Sequence, residues 1–149
     1  MTNLAAVRFW EELGAARVIL GRELSLEEIK EIRLSSDLEL ESFVHGAMCL
    51  AYSGRCFLSS YLTGRSANRG YCTHPCRWQY YLLEEKRPGE YFPVLEDNRG
   101  TAIMSSRDLC LIRHIPELID AGLTSWKIEG RMRSIHYVAT VTKTYRQAL

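Results

Sequence analysis

No apolar run in the 149 residues approaches the length of a membrane span, which takes about 20 consecutive apolar residues. No signal-peptide pattern opens the chain, and its five cysteines make an odd count, which disfavours a disulfide framework. Persistent disulfides belong to oxidising compartments, so a cytoplasmic location is expected. Internal repeats and low-complexity linkers are also missing. There is no His-Glu-x-x-His helix and no Gly-x-Ser-x-Gly elbow, so the common zinc-peptidase and serine-hydrolase signatures are absent. Net charge is only +1, so bulk electrostatics does not demand a nucleic-acid partner.

The hydrophobic fraction of 46% decides against disorder and for one globular domain with a sizeable core. Charge is nevertheless unevenly placed. Arg55, Arg65, Arg69, Arg77, Lys86 and Arg87 face only Glu84 and Glu85 in the same stretch. From Lys127 onward, Lys127, Arg131, Arg133, Lys143 and Arg146 are set against Glu129 alone. Patches of this kind suit a phosphate-bearing partner, and equally a solvated surface.

Four thiols, Cys49, Cys56, Cys72 and Cys76, fall within 28 residues among glycines and arginines. Thiolates select zinc, copper(I) or iron–sulfur clusters, and nearby arginines favour the thiolate form. Disulfides, structural zinc and an iron–sulfur cluster are all open. Zinc usually takes paired ligands two to four residues apart on both sides, and only Cys72/Cys76 meets that spacing. The irregular pattern fits a four-cysteine cluster better. Cys110, further on, reads as a buried small hydrophobe at the start of a helix.

Along the chain, Leu4, Val7, Phe9, Trp10 and Leu13 predict a helix ended by Gly14. Arg17–Leu20 reads as a short strand, and Ser25 with Glu28 as a capping box opening a helix to about Leu34. A second strand runs from about Leu38 to Val44. From 46 to 112 a cysteine-rich insert carries a β excursion: strands Gln79–Leu83 and Tyr91–Leu95 about a turn at Arg87–Gly89. A turn at Asp97–Gly100 then leads into Thr101–Met104. The α/β rhythm returns with a helix at Ile115–Ala121, a strand at Thr124–Ile128 and a last helix capped by Ser134.

The expected class is therefore α/β, with barrel units over 1–45, the insert over 46–112 and a returning unit over 113–149. Polar residues follow each apolar strand: Gly21-Arg22-Glu23, His45-Gly46 and Glu129-Gly130-Arg131. Active sites of β/α barrels are built at such C-terminal strand ends. A complete barrel needs eight strands and about 250 residues. The chain accordingly reads as a fragment, about the second half of such a barrel.

Several blocks make the chain recognisable. They are Glu41-Ser-Phe-Val-His45-Gly-Ala-Met-Cys49, Ser53-Gly-Arg-Cys56-Phe-Leu-Ser59, Gly64-Arg-Ser-Ala-Asn68-Arg-Gly70, Cys72-Thr-His-Pro-Cys-Arg-Trp78 and Lys127-Ile-Glu-Gly-Arg131. Together they resemble peptidase family U32, the collagenase-like proteins. Arg87-Pro-Gly-Glu-Tyr91 and Met104-Ser-Ser-Arg-Asp-Leu109 look most like its tRNA hydroxylation branch. That resemblance implies an iron–sulfur cluster (4Fe-4S) and formation of 5-hydroxyuridine at the wobble position of certain tRNAs. It also implies prephenate, a small carboxylate donor, in place of molecular oxygen. Relatives in the same family hydroxylate a ribosomal RNA cytidine or act in oxygen-independent ubiquinone synthesis. By the same resemblance Cys49, Cys56 and Cys72 are cluster ligands, Cys76 is the fourth and Cys110 the reserve.

With a cluster in place, Glu23, Glu41, His45, Lys127, Glu129 and Arg131 are the candidate acids, bases and carboxylate binders. His45 either lines the cluster pocket or satisfies a strand-end hydrogen bond, and His74 is a candidate ligand of a mixed site. Arg22 and Arg131 suit carboxylates or RNA phosphates through bidentate bonds. Tyr71, Trp78 and Tyr80 are candidates to stack on an unpaired base of the anticodon loop. Two other functions remain open at this stage: a peptidase built on Cys49 and His45, and a non-catalytic iron–sulfur binding or assembly protein.

Overall fold

The structure is a computed structural model that describes residues 1–83, 85–93 and 107–149, without the side chains of Leu82, Phe92 and Pro93. In chain order its elements begin with α1 (Leu4–Glu12), β1 (Arg17–Ile19), α2 (Leu26–Ser35) and β2 (Glu39–Gly46). They continue with α3 (Leu58–Thr63), β3 (Tyr81–Leu83), β4 (Tyr91–Pro93) and β5 (Leu109–Cys110). Last come α4 (Ile115–Asp120), β6 (Ser125–Ile128) and α5 (Ile135–Ala148). Two compact units result, one formed by Met1–Ser53 with Asp108–Leu149, the other by Gly54–Arg107.

The first unit is an α/β layer built on β2. That strand pairs in parallel with β1 and with β6, and antiparallel with the two-residue β5. Its carbonyls are shared among these neighbours: Glu41 accepts from Leu20, Leu40 from Thr124, Val44 from Leu111 and His45 from Glu129. A register shift between Phe43 and His45 accompanies the change of partner.

Helices begin where their caps require. Ser25 Oγ accepts the Glu28 amide at 3.2 Å while the Glu28 carboxylate accepts the Ser25 amide at 2.7 Å, a complete capping box. Ser134 caps α5 through the Tyr137 amide at 3.1 Å, and Asn3 caps α1 through Ala6 at 2.8 Å. The alternation of β2 buries Leu40, Ser42, Val44 and Gly46 on one side. Val18, Leu20, Ile29, Ile32, Leu38 and Val7 complete one apolar cluster with Leu40, and Ile115, Leu118 and Tyr145 another with Val44. Burying a side chain such as Leu40 or Leu118 contributes about 1.5–3 kcal/mol.

The apolar stripe of α1 is narrower than its sequence suggests. Leu4 and Val7 reach the core, but Phe9, Trp10 and Leu13 are 54%, 42% and 63% exposed. Cys110 is also a correction: it lies exposed on β5, not buried at a helix start.

In the second unit α3 is followed by 3-10 turns at Ala67–Arg69 and Pro75–Arg77 and by the antiparallel hairpin of β3 and β4. The expected strand Gln79–Leu83 appears there as the shorter Tyr81–Leu83, and the one expected from Tyr91 begins at that residue. The expected end of the second at Leu95, the turn at Asp97–Gly100 and the strand Thr101–Met104 lie outside the described residues. Among the described residues no helix is long and apolar enough to cross a membrane.

Candidate functional site at the strand ends

The unburied side of β2 presents Glu39, Glu41, Phe43 and His45 in a row. Register sets Arg17 opposite Glu39, Ser125 opposite Glu41 and Lys127 opposite Phe43. The result is a charged ladder. Arg17 pairs with Glu39 at 2.6 Å and approaches Glu41 at 3.7 Å, while Lys127 Nζ lies 3.2 Å from Glu41. Burial pushes the Glu41 carboxyl up, but the Ser125 hydroxyl, the Lys127 hydrogen bond and the charges of Lys127 and Arg17 more than offset this. Glu41 is therefore held as a carboxylate, suited to fixing Lys127 rather than to taking up a proton near neutrality.

One level towards the C-terminal strand ends, the Arg22 guanidinium sits 3.6 Å over the Phe43 ring, with Lys127 Nζ 5.3 Å from the same ring. Burial lowers the Arg22 value, and the charges of Cys49, Glu129 and Glu23 act in the opposite direction. Glu23 is tied to the chain after β2: its carboxylate accepts the Ser53 amide at 2.6 Å and the Ser53 hydroxyl at 3.0 Å. Burial raises Glu23, yet these bonds leave it below the usual carboxylate range.

Glu129 is buried and accepts the Arg131 amide at 3.0 Å, while its own amide donates to the His45 carbonyl at 2.9 Å. Gly46 makes this approach of β2 to β6 feasible. Its φ is +109°, and a Cβ there would fall onto the Glu129 carbonyl oxygen.

His45 packs edge-on against Tyr145, ring centroids 5.7 Å apart, with Tyr137 at 6.0 Å. The Tyr145 hydroxyl donates to the Val44 carbonyl at 2.8 Å, accepts the Leu111 amide at 3.1 Å and lies 3.5 Å from His45 Nδ1. Burial, with the nearby Cys110, pushes Tyr145 up to about 12. Burial also lowers His45, against Asp108 and with Arg133, so its imidazole is neutral at neutral pH and able to accept a proton.

None of the five cysteines is in a disulfide. Cys49 and Cys110 are exposed in the first unit; Cys56, Cys72 and Cys76 are half-buried in the second. Among the described residues no three His, Cys, Asp or Glu side chains gather as a metal site. The fit to a cluster therefore rests on donor chemistry. The His74 amide donates to Cys72 Sγ at 3.3 Å from a left-handed His74 (φ +55°), the kind of contact a ligating thiolate accepts. Among the described residues this unit buries Pro75, Ser59 and Thr73, and both apolar clusters belong to the first. The donor set fits a thiolate-bound cluster.

Of the candidate residues, Glu41 and Lys127 meet directly, and His45 and Glu129 meet through the backbone. Glu23, Glu129 and Arg131 are each near enough for their charges to act on Arg22. Glu41 and Glu129 sit at different levels of the sheet. Phe43, Tyr145 and Asp108 were not among the expected site residues. For Phe43 the signal was available, since an aromatic alternating with Glu39, Glu41 and His45 must share their face. For Tyr145, 100 residues from His45, no local pattern exists.

The protein is thus of the α/β class, with a charged sheet face, cationic and acidic strand ends and a thiol-rich unit joined to them in sequence. Residues 1–149 match peptidase family U32, and the chain belongs to that family. It is 50% identical over 149 residues to tRNA hydroxylation protein P1 of Bacillus subtilis, covering 100% of this chain and 35% of the relative. It is 43% identical over 187 residues to tRNA hydroxylation protein P of Escherichia coli, covering 99% and 41%. To the 23S rRNA 5-hydroxycytidine C2501 synthase of Escherichia coli it is 38% identical over 148 residues, covering 95% and 21%. The chain thus spans well under half the length of these relatives. No solved structure matches it.

Proposed function

We propose that this chain is part of an RNA-modifying hydroxylase that converts a tRNA wobble uridine to 5-hydroxyuridine, with prephenate as co-substrate and a 4Fe-4S cluster as cofactor. The observation that carries this reading is the 43–50% identity, over essentially the whole chain, to proteins named for tRNA hydroxylation. The likeness to an rRNA hydroxycytidine synthase supports base hydroxylation as the shared chemistry.

Cys49, Cys56, Cys72 and Cys76 would hold the cluster, with Cys110 in reserve. Bound there, the cluster supplies electrons or a Lewis-acidic iron. The chain's own residues bind and orient. Arg22 and Arg131 are placed to hold carboxylate or phosphate oxygens, and Lys127, fixed by Glu41, adds a directed cation. Neutral His45 accepts a proton at the strand end, and Glu129, tied to the Arg131 amide, sets the β6 terminus. Glu23 anchors the chain leaving β2 through Ser53.

We further infer that the sheet is part of a (β/α) barrel. Its three parallel strands lie side by side in chain order, β1–β2–β6, with α2 and α4 in the connections between them, as in a barrel wall. A cytoplasmic location goes with a tRNA substrate.

The test is nucleoside mass spectrometry of tRNA incubated anaerobically with the cluster-loaded whole protein, with and without prephenate. The expected product is 5-hydroxyuridine, formed only with prephenate. Cleavage of gelatin without RNA modification would assign the peptidase reading instead. A loaded protein inactive in both assays would leave the binding or assembly role.

A further inference from the structure

The stretch Gly54–Leu83 contains four arginines, six aromatics and no Asp or Glu. Most of those aromatics are turned outward. Phe57 is 75% exposed, Tyr61 85% and Tyr71 60%. Phe57 immediately precedes α3 and Tyr61 lies on it, four residues apart and so on one face. Arg65 and Arg69 follow on the exposed turn that ends at Tyr71.

The back of this segment is fixed. Ser59 and Thr63 hydroxyls each lie 3.2 Å from the Thr73 hydroxyl, and Thr63 also donates to the Ser59 carbonyl at 2.6 Å. Asn68 accepts the Cys56 amide at 2.9 Å, and the Tyr71 amide donates to Ser66 at 3.0 Å. The inward bonds of Ser59 and Thr63 leave Phe57 and Tyr61 on the opposite side of α3, and Arg65, Arg69 and Tyr71 are exposed on the turn that follows.

Resting on the RNA reading above, we propose that Phe57–Tyr71 is a platform for single-stranded RNA. On it Phe57, Tyr61 and Tyr71 stack bases, and Arg65 and Arg69 hold phosphates. Rings interleaved with cations and free of carboxylates are what an unpaired strand requires, since every base offers a π-face and every linkage a negative charge. A duplex hides its base faces, so the platform discriminates against it.

Fluorescence anisotropy of the protein with a labelled oligouridine, and with a duplex of matched length, tests this. Phe57→Ala and Tyr61→Ala are each expected to weaken single-strand binding on the order of tenfold, and Tyr61→Phe, which keeps the ring, to retain it. Arg65→Ala and Arg69→Ala should each reduce the slope of log affinity against log salt by about 0.7. Trp10→Ala, which removes an exposed aromatic from α1, should change nothing. Unchanged affinity in the Phe57→Ala/Tyr61→Ala double variant would overturn the proposal, as would equal binding of duplex. Loss of self-association alone in that variant would give the surface to a second copy of the chain.

Binding to bare RNA needs neither cluster nor co-substrate, so the two readings fail separately. A protein that binds here but hydroxylates nothing refutes only the hydroxylase. One whose binding and hydroxylation both survive the double variant refutes only the platform.

Discussion

The hydroxyl of Tyr145, on the last helix, donates to the main-chain carbonyl of Val44, 101 residues earlier, at 2.8 Å. The same oxygen accepts the Leu111 amide, so one phenol joins β2, the segment after β5 and α5. The Leu111 amide also donates to the Val44 carbonyl at 3.0 Å, so Tyr145→Phe removes the phenol's bonds without orphaning either group. The expected loss is about 0.5–1.5 kcal/mol, read as a lower urea midpoint with unchanged slope. A midpoint like that of wild type would mean that the hydroxyl adds nothing to the backbone bonds and packing that already join these elements.

Gly46 predicts a contrast between two similar substitutions. Gly14 also has a positive φ, +81°, but nothing lies within 4 Å of an added Cβ, whereas at Gly46 the Glu129 backbone is in the way. Gly14→Ala should cost about 1–2 kcal/mol, the left-handed penalty alone. Gly46→Ala should cost distinctly more and displace β6 from β2. Equal losses in parallel thermal melts would contradict the close approach.

Glu41 should shape the acid limb of stability. Its carboxyl is held below the ordinary range, first against burial and then by Ser125, Lys127 and Arg17. A group whose folded value is depressed stabilises the fold above its unfolded value, about 4.3. That contribution is lost as pH falls through the folded value. Glu41→Gln should therefore be less stable than wild type at neutral pH, and the gap should close in acid. A constant gap from pH 7 to pH 2 would refute the linkage.

The cysteines make the sharpest chemical prediction. Anaerobically prepared protein should carry iron and acid-labile sulfide in equal amounts, and Cys49→Ser, Cys56→Ser or Cys72→Ser should each abolish both. Cys76→Ser should bleach the protein while Cys110→Ser leaves it coloured. The reverse pair of results would move the fourth ligand to Cys110. Zinc in stoichiometric amount without sulfide would sink the cluster.

Sequence patterns announced what local chemistry controls. Ser25 with Glu28, Ser134 and the alternation around Leu40 and Val44 are contacts over a few residues, and they lie where the patterns predict. Phe9, Trp10 and Leu13 were legible as helix but not as surface, because burial depends on what α1 packs against. Leu109–Cys110 is too short for any periodicity to show, and its pairing with Gly46 and His45 is set by strands far away in sequence. The site divides in the same way. The strand-end residues Glu23, His45 and Glu129 could be read from their positions after apolar runs. The Tyr145 bonds and the Arg22–Phe43 stack come only from tertiary packing.

Among the described residues of the second unit the hydroxyls of Ser59, Thr63 and Thr73 bond one another, which bears on how the protein answers to cold. Heat capacity of unfolding grows with apolar area exposed and shrinks with polar area. The first unit, packed on Leu20, Leu40, Val44 and Leu118, follows a steeply curved stability profile and weakens on chilling. The second, bonded through hydroxyls, follows a flatter one. Cooling should bring the two units towards equal stability, and warming towards the optimum of the first should drive them apart.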